Sequence, residues 1–404
     1  LHPRVRRQRQ MCIRDSILAG GPGAVLWMWL TGVFGIATKY SETFISVKYR
    51  VKDHRGEMLG GAMYAWKRAF KRKDGSTPVW AAFFAGAFAL FAAIASFGIG
   101  SAVQSSSMAG IITANFPDAP TWLIGLCIVV LVSLVIFGGI SQIAKVCQVL
   151  VPFMAIAYSV GCIVIICMNA EYVWPAIQMI CTCAFTPQAA FGGAVGSGLM
   201  AALQFGCARG LFSNESGLGS APIVAAAAST RNPARQALVS MTGTFWDTVI
   251  ICALTGIVLV STGIANPDMF ADGAITKGAE LTSVAFAQIP VVGTPILIFG
   301  MITFAFSTII GWSYYGNRCV TYLLGSKAIR PYQVVYVIVA FLGVIGVGDM
   351  VWTCSDIANA LMAIPNIIVV LALSGIIAKE TKHYVWRGNL DEVSKEEIPV
   401  VAAK

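Results

Sequence analysis

The polar chemistry of this chain sits in a few interruptions of otherwise apolar sequence, and the richest lies within residues 190–227. Its middle, Gly206 to Gly219, mixes glycines with Arg209, Ser213, Asn214, Glu215 and Ser216. Glycine and asparagine tolerate non-helical backbone. A helix broken at membrane depth exposes N–H and C=O groups that are tolerated only against protein or a cavity. N–H ends then face an anion and carbonyl ends a cation, so this stretch is a candidate ion and carboxylate site, with Ser213 and Asn214 assigned to a substrate. The alternative is a Gly-rich face for close helix packing. Packing alone would not need Arg209 and Glu215, which either pair with each other or touch the ligand.

Three further groups stand out. Gln104 lies among Ser101, Ser105, Ser106 and Ser107 in SFGIGSAVQSSSMAG, either as an interhelical hydrogen bond or in the wall of a polar cavity. Ser307 and Thr308 place two hydroxyls on one helical face, with Trp312 a turn further on. Hydroxyl oxygens suit a hard cation such as sodium, but Ser and Thr also bond the carbonyl of the preceding turn, and Trp312 could equally be packing. Asp247 and Asp356 are acids in or near apolar spans, where function is the default expectation. Thr244 and Thr248 can satisfy Asp247 locally, and neither acid is taken as the main coupling site.

The histidines, His2, His54 and His383, all lie outside the apolar spans, and no HExxH-type pair occurs. Metalloenzyme chemistry therefore lacks its motif, and the spans hold no His to serve a nucleophile as its base. The expectation is a non-enzyme without a cofactor, using at most a coupling ion. Most cysteines fall in apolar segments, where they act as small hydrophobes, and Cys181 and Cys183 belong to no visible disulfide framework.

The elements that position these groups follow from composition. Of 404 residues, 57% are hydrophobic and 12% charged, and the mean hydropathy is +0.75. A soluble core cannot use that much apolar surface, and disorder is excluded for the same reason. Repeated apolar stretches of about 20 residues predict an all-α polytopic membrane protein. Nine spans are read at 22–47, 79–113, 121–141, 146–168, 190–227, 236–262, 290–322, 330–348 and 351–378. Every second connection between them is basic: 48–77, the turn marked by Lys145, Arg231 with Arg235, the loop with Arg318, Lys327 and Arg330, and the tail 379–404. The intervening connections, including the acidic 263–289, carry almost no base. By the positive-inside rule the basic loops and C-terminus are cytoplasmic, in a plasma membrane read as a bacterial inner membrane. The net charge of +9 is loop charge and does not call for nucleic acid. The run KRAFKRKDG at 67–75 is read as a topology and headgroup signal.

Residues 1–16, LHPRVRRQRQMCIRDS, carry five Arg and no membrane periodicity. They fit neither a signal peptide nor a buried helix, since each Arg at mid-bilayer costs about 2.5–3.5 kcal/mol. They are expected to be non-native sequence joined to a truncated chain.

The stretches GGPGAVLWMWLTGVFG at 20–35, ARGLFSNESGLGSAPI at 208–223 and GWSYYGNRC at 311–319 resemble the alanine or glycine:cation symporter family, often called sodium:alanine symporters. The resemblance runs from about residue 17 to 385, with Leu26 where an aromatic is usual. It implies a LeuT-type fold of two inverted repeats, here 17–168 and 190–378, and sodium-driven import of small neutral amino acids by alternating access. It implies that Phe205, Gly206 and the following bend lie at the substrate, that Gln104 and Trp312 line the pocket, and that Ser307 and Thr308 fall at a sodium site. The family's TGN-type motif, expected just before GGPG, is replaced by the Arg-rich segment, and the leading helix is absent. The first repeat is therefore read as incomplete, and none of that helix's ligands is carried over. A proton-coupled carrier and a non-transporting amino-acid sensor on the same fold remain as alternatives. Oligomeric state has no signature.

Overall fold

A chain in lipid must bond every backbone N–H and C=O internally, and apolar stretches of this length do so as helices. The computed structural model describes residues 17, 20–54, 56–185, 199–267, 278–346, 349–392, 394 and 397–401. The expectation for residues 1–16 lies outside the described residues. The first helix is α1 (Ala24–Lys48). A hairpin follows, β1 (Val51–Lys52) antiparallel to β2 (Met58–Leu59), with Val51 opposite Leu59 and Lys52 opposite Met58. Then come α2 (Ala62–Ala69), α3 (Val79–Asn115), α4 (Thr121–Ile136), α5 (Ile140–Met168) and α6 (Ala170–Cys183). The second half holds α7 (Leu199–Asn214), α8 (Ala221–Ala225), α9 (Pro233–Ala265), α10 (Gly278–Ala287) and α11 (Gly293–Leu324). It closes with α12 (Ile329–Ile345), α13 (Asp349–Ala372) and α14 (Ser374–Thr381).

Among the described residues, six helices are long and apolar enough to cross a membrane. Their outward faces carry large apolar side chains, such as Phe83 at 69% and Val149 at 74% exposure, as expected where the solvent is lipid. Two apolar cores lie behind these faces. The larger joins α3, α4, α11, α12 and α13 around Phe88, Ile128, Ile309 and Tyr336. The smaller joins α5, α6, α9 and α10 around Ile165, Ile180, Leu259 and Phe286.

A helix lies in each of the nine stretches read from sequence, with three departures from that reading. Lys145, expected in a connection, is exposed within α5, because the turn is made earlier at Gly139 (φ +78°). Residues 169–189, read as a loop, contain α6, whose Ala176 and Ile180 are buried one turn apart in the smaller core. The acidic 263–289 contains α10, whose Leu281 and Phe286 are buried in the same core. Short amphipathic helices like these lack the length that marks a span. Cys181 and Cys183 are both free.

α3 and α9 each contain a π-helical segment, Ser96–Ala102 and Phe245–Cys252. Such segments displace backbone bonds and often occur where a helix is functionally shaped. In α3 the segment meets three other helices. Ser96 Oγ is 2.9 Å from Tyr332 Oη, and Ser101 Oγ donates to Tyr336 O at 2.9 Å. A Cβ on Gly100 would lie 2.3 Å from Trp312 Cβ, and one on Gly98 would lie 1.6 Å from Ser355 Oγ.

Candidate functional site

α7 runs unbroken to Asn214, and the backbone then leaves the helix until α8 begins at Ala221. The unwound residues include Glu215 at φ +53°, Gly217 at φ +89° and Gly219 at φ +78°. The break is shorter than the expected Gly206–Gly219. The reason is packing: a Cβ on Gly206 would lie 2.5 Å from Ala24 O, and one on Gly210 would lie 1.9 Å from Thr31 Oγ1. The N-terminal part of the motif is thus a close helix contact with α1, and only its C-terminal part unwinds. Phe205 and Gly206 accordingly sit in the body of α7 rather than at the bend.

Four helices hold the unwound residues. From α1, Lys39 Nζ donates to Asn214 O at 2.9 Å, and Glu42 Oε1 accepts the Gly217 N–H. A cation therefore meets a carbonyl end and a carboxylate meets an N–H end, the polarity that main-chain dipoles favour. From α13, Asn366 Nδ2 donates to Gly217 O at 3.0 Å. From α11, Trp312 Nε1 donates to Glu215 Oε1 at 3.0 Å, while Ser220 Oγ donates to Glu215 Oε2 at 2.7 Å. From α9, Thr244 Oγ1 lies 3.2 Å from Ser216 Oγ. Asn214 Oδ1 accepts the Ser216 N–H at 2.9 Å, while among the described residues nothing accepts from its buried Nδ2. Below the break, Arg50 at the end of α1 donates to Ala226 O, Ala228 O and Thr230 O at 3.0, 2.6 and 2.7 Å.

The sequence-derived candidates divide. Asn214, Glu215 and Trp312 meet at the break. Ser213 is beside it on the last turn of α7, where its Oγ donates to Asp247 Oδ2 at 2.6 Å; Thr248 Oγ1 donates to the same oxygen at 3.1 Å. Of the two alternatives for Arg209 and Glu215, the mutual pair does not form: Glu215 is engaged by Trp312 and Ser220, and the Arg209 guanidinium lies 5.9 Å from the Phe212 ring centroid. Gln104 Nε2 donates at 3.3 Å to Ile99 O, within its own helix and beside the π-helical segment. Ser105 and Ser107 likewise bond their own helix. Ser307 and Thr308 share Phe304 O, at 2.8 and 3.0 Å, the local alternative weighed for them. Asp356 lies half-buried on α13.

Lys39, Glu42 and Asn366 were missed from sequence. The signal was present in the first two, ionisable residues three apart in an otherwise apolar span. Asn366 had none, because a lone amide in a span does not reveal its partner.

Two glycine substitutions separate strain from space. At Gly217 a Cβ meets nothing closer than 3.9 Å, so Gly217→Ala is expected to cost only the left-handed backbone strain of about 1–2 kcal/mol. At Gly219 the Cβ would also lie 2.6 Å from Asn366 Oδ1 and 2.8 Å from Phe88. Gly219→Ala is expected to lower the thermal midpoint in detergent clearly more than Gly217→Ala; equal shifts would contradict this packing.

A helix interrupted between apolar spans, its free main-chain groups held by ionisable side chains from neighbouring helices, is the arrangement of ion-coupled secondary transporters. Whole-chain comparison specifies the type: the model of the sodium:alanine symporter family matches residues 13–397, and the chain belongs to that family. It is a membrane amino-acid symporter rather than an enzyme. It is 44% identical to the sodium/alanine symporter AgcS of Methanococcus maripaludis, over 92% of this chain and 79% of that one. It is 32% identical to a putative sodium/proton-dependent alanine carrier protein of Bacillus subtilis, over 90% and 74%. It is also 31% identical to a probable sodium/glutamine symporter of Bacillus subtilis, over 92% and 74%.

Proposed function

We propose that this chain imports small neutral amino acids, alanine and glycine foremost, driven by sodium. It would work by alternating access on a LeuT-type inverted-repeat bundle in a bacterial inner membrane, with basic loops and C-terminus cytoplasmic. The observation that carries the reading is the unwound segment Glu215–Ser220, with the buried Asn214 amide offering a donor to a carboxylate. The similarity to AgcS supports sodium and alanine. One sodium ion moving down about 100 mV gains about 2.3 kcal/mol, and a tenfold gradient adds about 1.4 kcal/mol. Together these support accumulation of roughly several hundred-fold per ion. Coupling requires that sodium and substrate favour the same closed state, since a ligand without differential affinity shifts nothing. Alanine and glycine differ by one methyl, about 0.8 kcal/mol on burial, so both are expected as substrates.

The test is counterflow of labelled alanine in liposomes with and without a sodium gradient. Sodium-dependent exchange supports the proposal. Exchange driven equally by protons assigns a proton-coupled carrier, and binding without exchange assigns a sensor. Gln104→Ala is expected to weaken alanine binding more than sodium binding. Unchanged alanine affinity would remove Gln104 from the site.

A further inference from the structure

The basic run 67–75 does more than mark topology. A cavity of about 300 Å3 opens between the hairpin, α2, the end of α11 and the C-terminal residues Pro399 and Val401. Lys67 and Arg68 line it from α2, Lys71 from the segment just after that helix and His54 from the hairpin, against one acid, Asp53. Asp53 serves the hairpin turn, where its Oδ1 accepts the Glu57 N–H at 2.9 Å. Two of the cations are held in position. The Lys67 ammonium lies 4.6 Å from the Tyr322 ring centroid, and Arg68 Nη1 donates to Arg50 O at 2.9 Å. Thr77 and Ser326 add hydroxyl donors. The C-terminal wall is fixed by backbone pairing: Lys52 N donates to Pro399 O at 2.9 Å and Val401 N to Lys52 O at 2.8 Å.

Excess positive charge with hydroxyl donors in a concave site is the chemistry that recognises phosphate. The pocket also lies at the edge of the lipid-facing surface. Thr77 leads directly to Val79, 86% exposed, and Trp80; Ser326 follows Leu324, 71% exposed. Exposed tryptophan next to a basic surface marks headgroup depth. We propose that this pocket binds a phosphate group, the chemistry shared by the phosphodiester headgroup of an anionic lipid and by free phosphate.

The test uses the purified full chain in neutral detergent, with phosphatidylglycerol or phosphatidylcholine of the same acyl chains added, and native mass spectrometry as readout. Wild type is expected to retain phosphatidylglycerol about tenfold better than phosphatidylcholine. Lys67→Gln combined with Lys71→Gln should erase that preference, and Lys382→Gln, outside the pocket, should keep it. Lys71→Gln alone, at an exposed side chain, should weaken it and provides the test where the double variant fails to fold. Displacement of the lipid by inorganic phosphate assigns the site to soluble phosphate, and retention against it assigns the site to lipid. Equal retention of the two lipids with no effect of phosphate, or a preference unchanged in Lys71→Gln and in the folded double variant, overturns the proposal.

Discussion

Replacing Glu42 by alanine is expected to reduce sodium-dependent alanine counterflow by about 100-fold or more, the largest loss from any single substitution at the site. Glu42 is 1% exposed and accepts the Gly217 N–H in the middle of the unwound segment. Removing its carboxylate leaves that buried donor unsatisfied, at about 1–3 kcal/mol. It also removes a counter-charge from Lys39, three residues away and 6% exposed. Breaking a buried charge arrangement from one side costs about 3–5 kcal/mol, and about 3 kcal/mol is already two decades in an equilibrium. Glu42→Gln separates the contributions, since its amide oxygen can still accept from Gly217 while the charge is gone. A Gln variant near wild type would make the hydrogen bond the important part, and one as poor as alanine would make it the charge. Wild-type counterflow in a folded Glu42→Ala protein would show that the unwound segment does not depend on α1.

Trp312→Ala is expected to broaden the substrate range toward bulkier side chains and to weaken transport of alanine. The indole is 3% exposed and pressed by the π-helical part of α3 at Gly100. Its Nε1 is one of the two described donors to the Glu215 carboxylate. Truncating a buried tryptophan costs about 3–5 kcal/mol, so the thermal midpoint should fall as well. Trp312→Phe keeps most of the volume and loses only the N–H. It is expected to preserve the preference for small substrates while weakening the grip on Glu215. Uptake competition across a series from glycine to glutamine reads this directly. An unaltered profile in Trp312→Ala would leave the residue a packing role only.

Much of the outline was legible in the residues. Span positions follow from apolar runs and loop charge, because hydropathy is a property of local composition and the bilayer is a uniform solvent. The Gly- and Asn-rich stretch marked where a helix would break, because backbone tolerance is also local. What could not be read was the division of labour within that stretch. Gly206 and Gly210 are small because α1 passes against them, whereas Gly217 is a glycine because its φ is positive and Gly219 because of both its positive φ and the close approach of Asn366. The residue type is the same in both places, and only the neighbouring helix distinguishes the two demands. Mutual pairing was one of two alternatives open for Arg209 and Glu215, yet the Glu215 carboxylate is taken by Trp312, from far along the chain.

The sequence alone therefore determined that this is a polytopic helical membrane protein with a helix break in the second half of the chain. Tertiary structure decided who holds that break: Lys39 and Glu42 from α1, Trp312 from α11 and Asn366 from α13. The reason is that apolarity and backbone freedom are properties of single residues and short windows. A hydrogen bond across the bundle depends on which helices pack together, and that is settled only by the complementarity of whole surfaces.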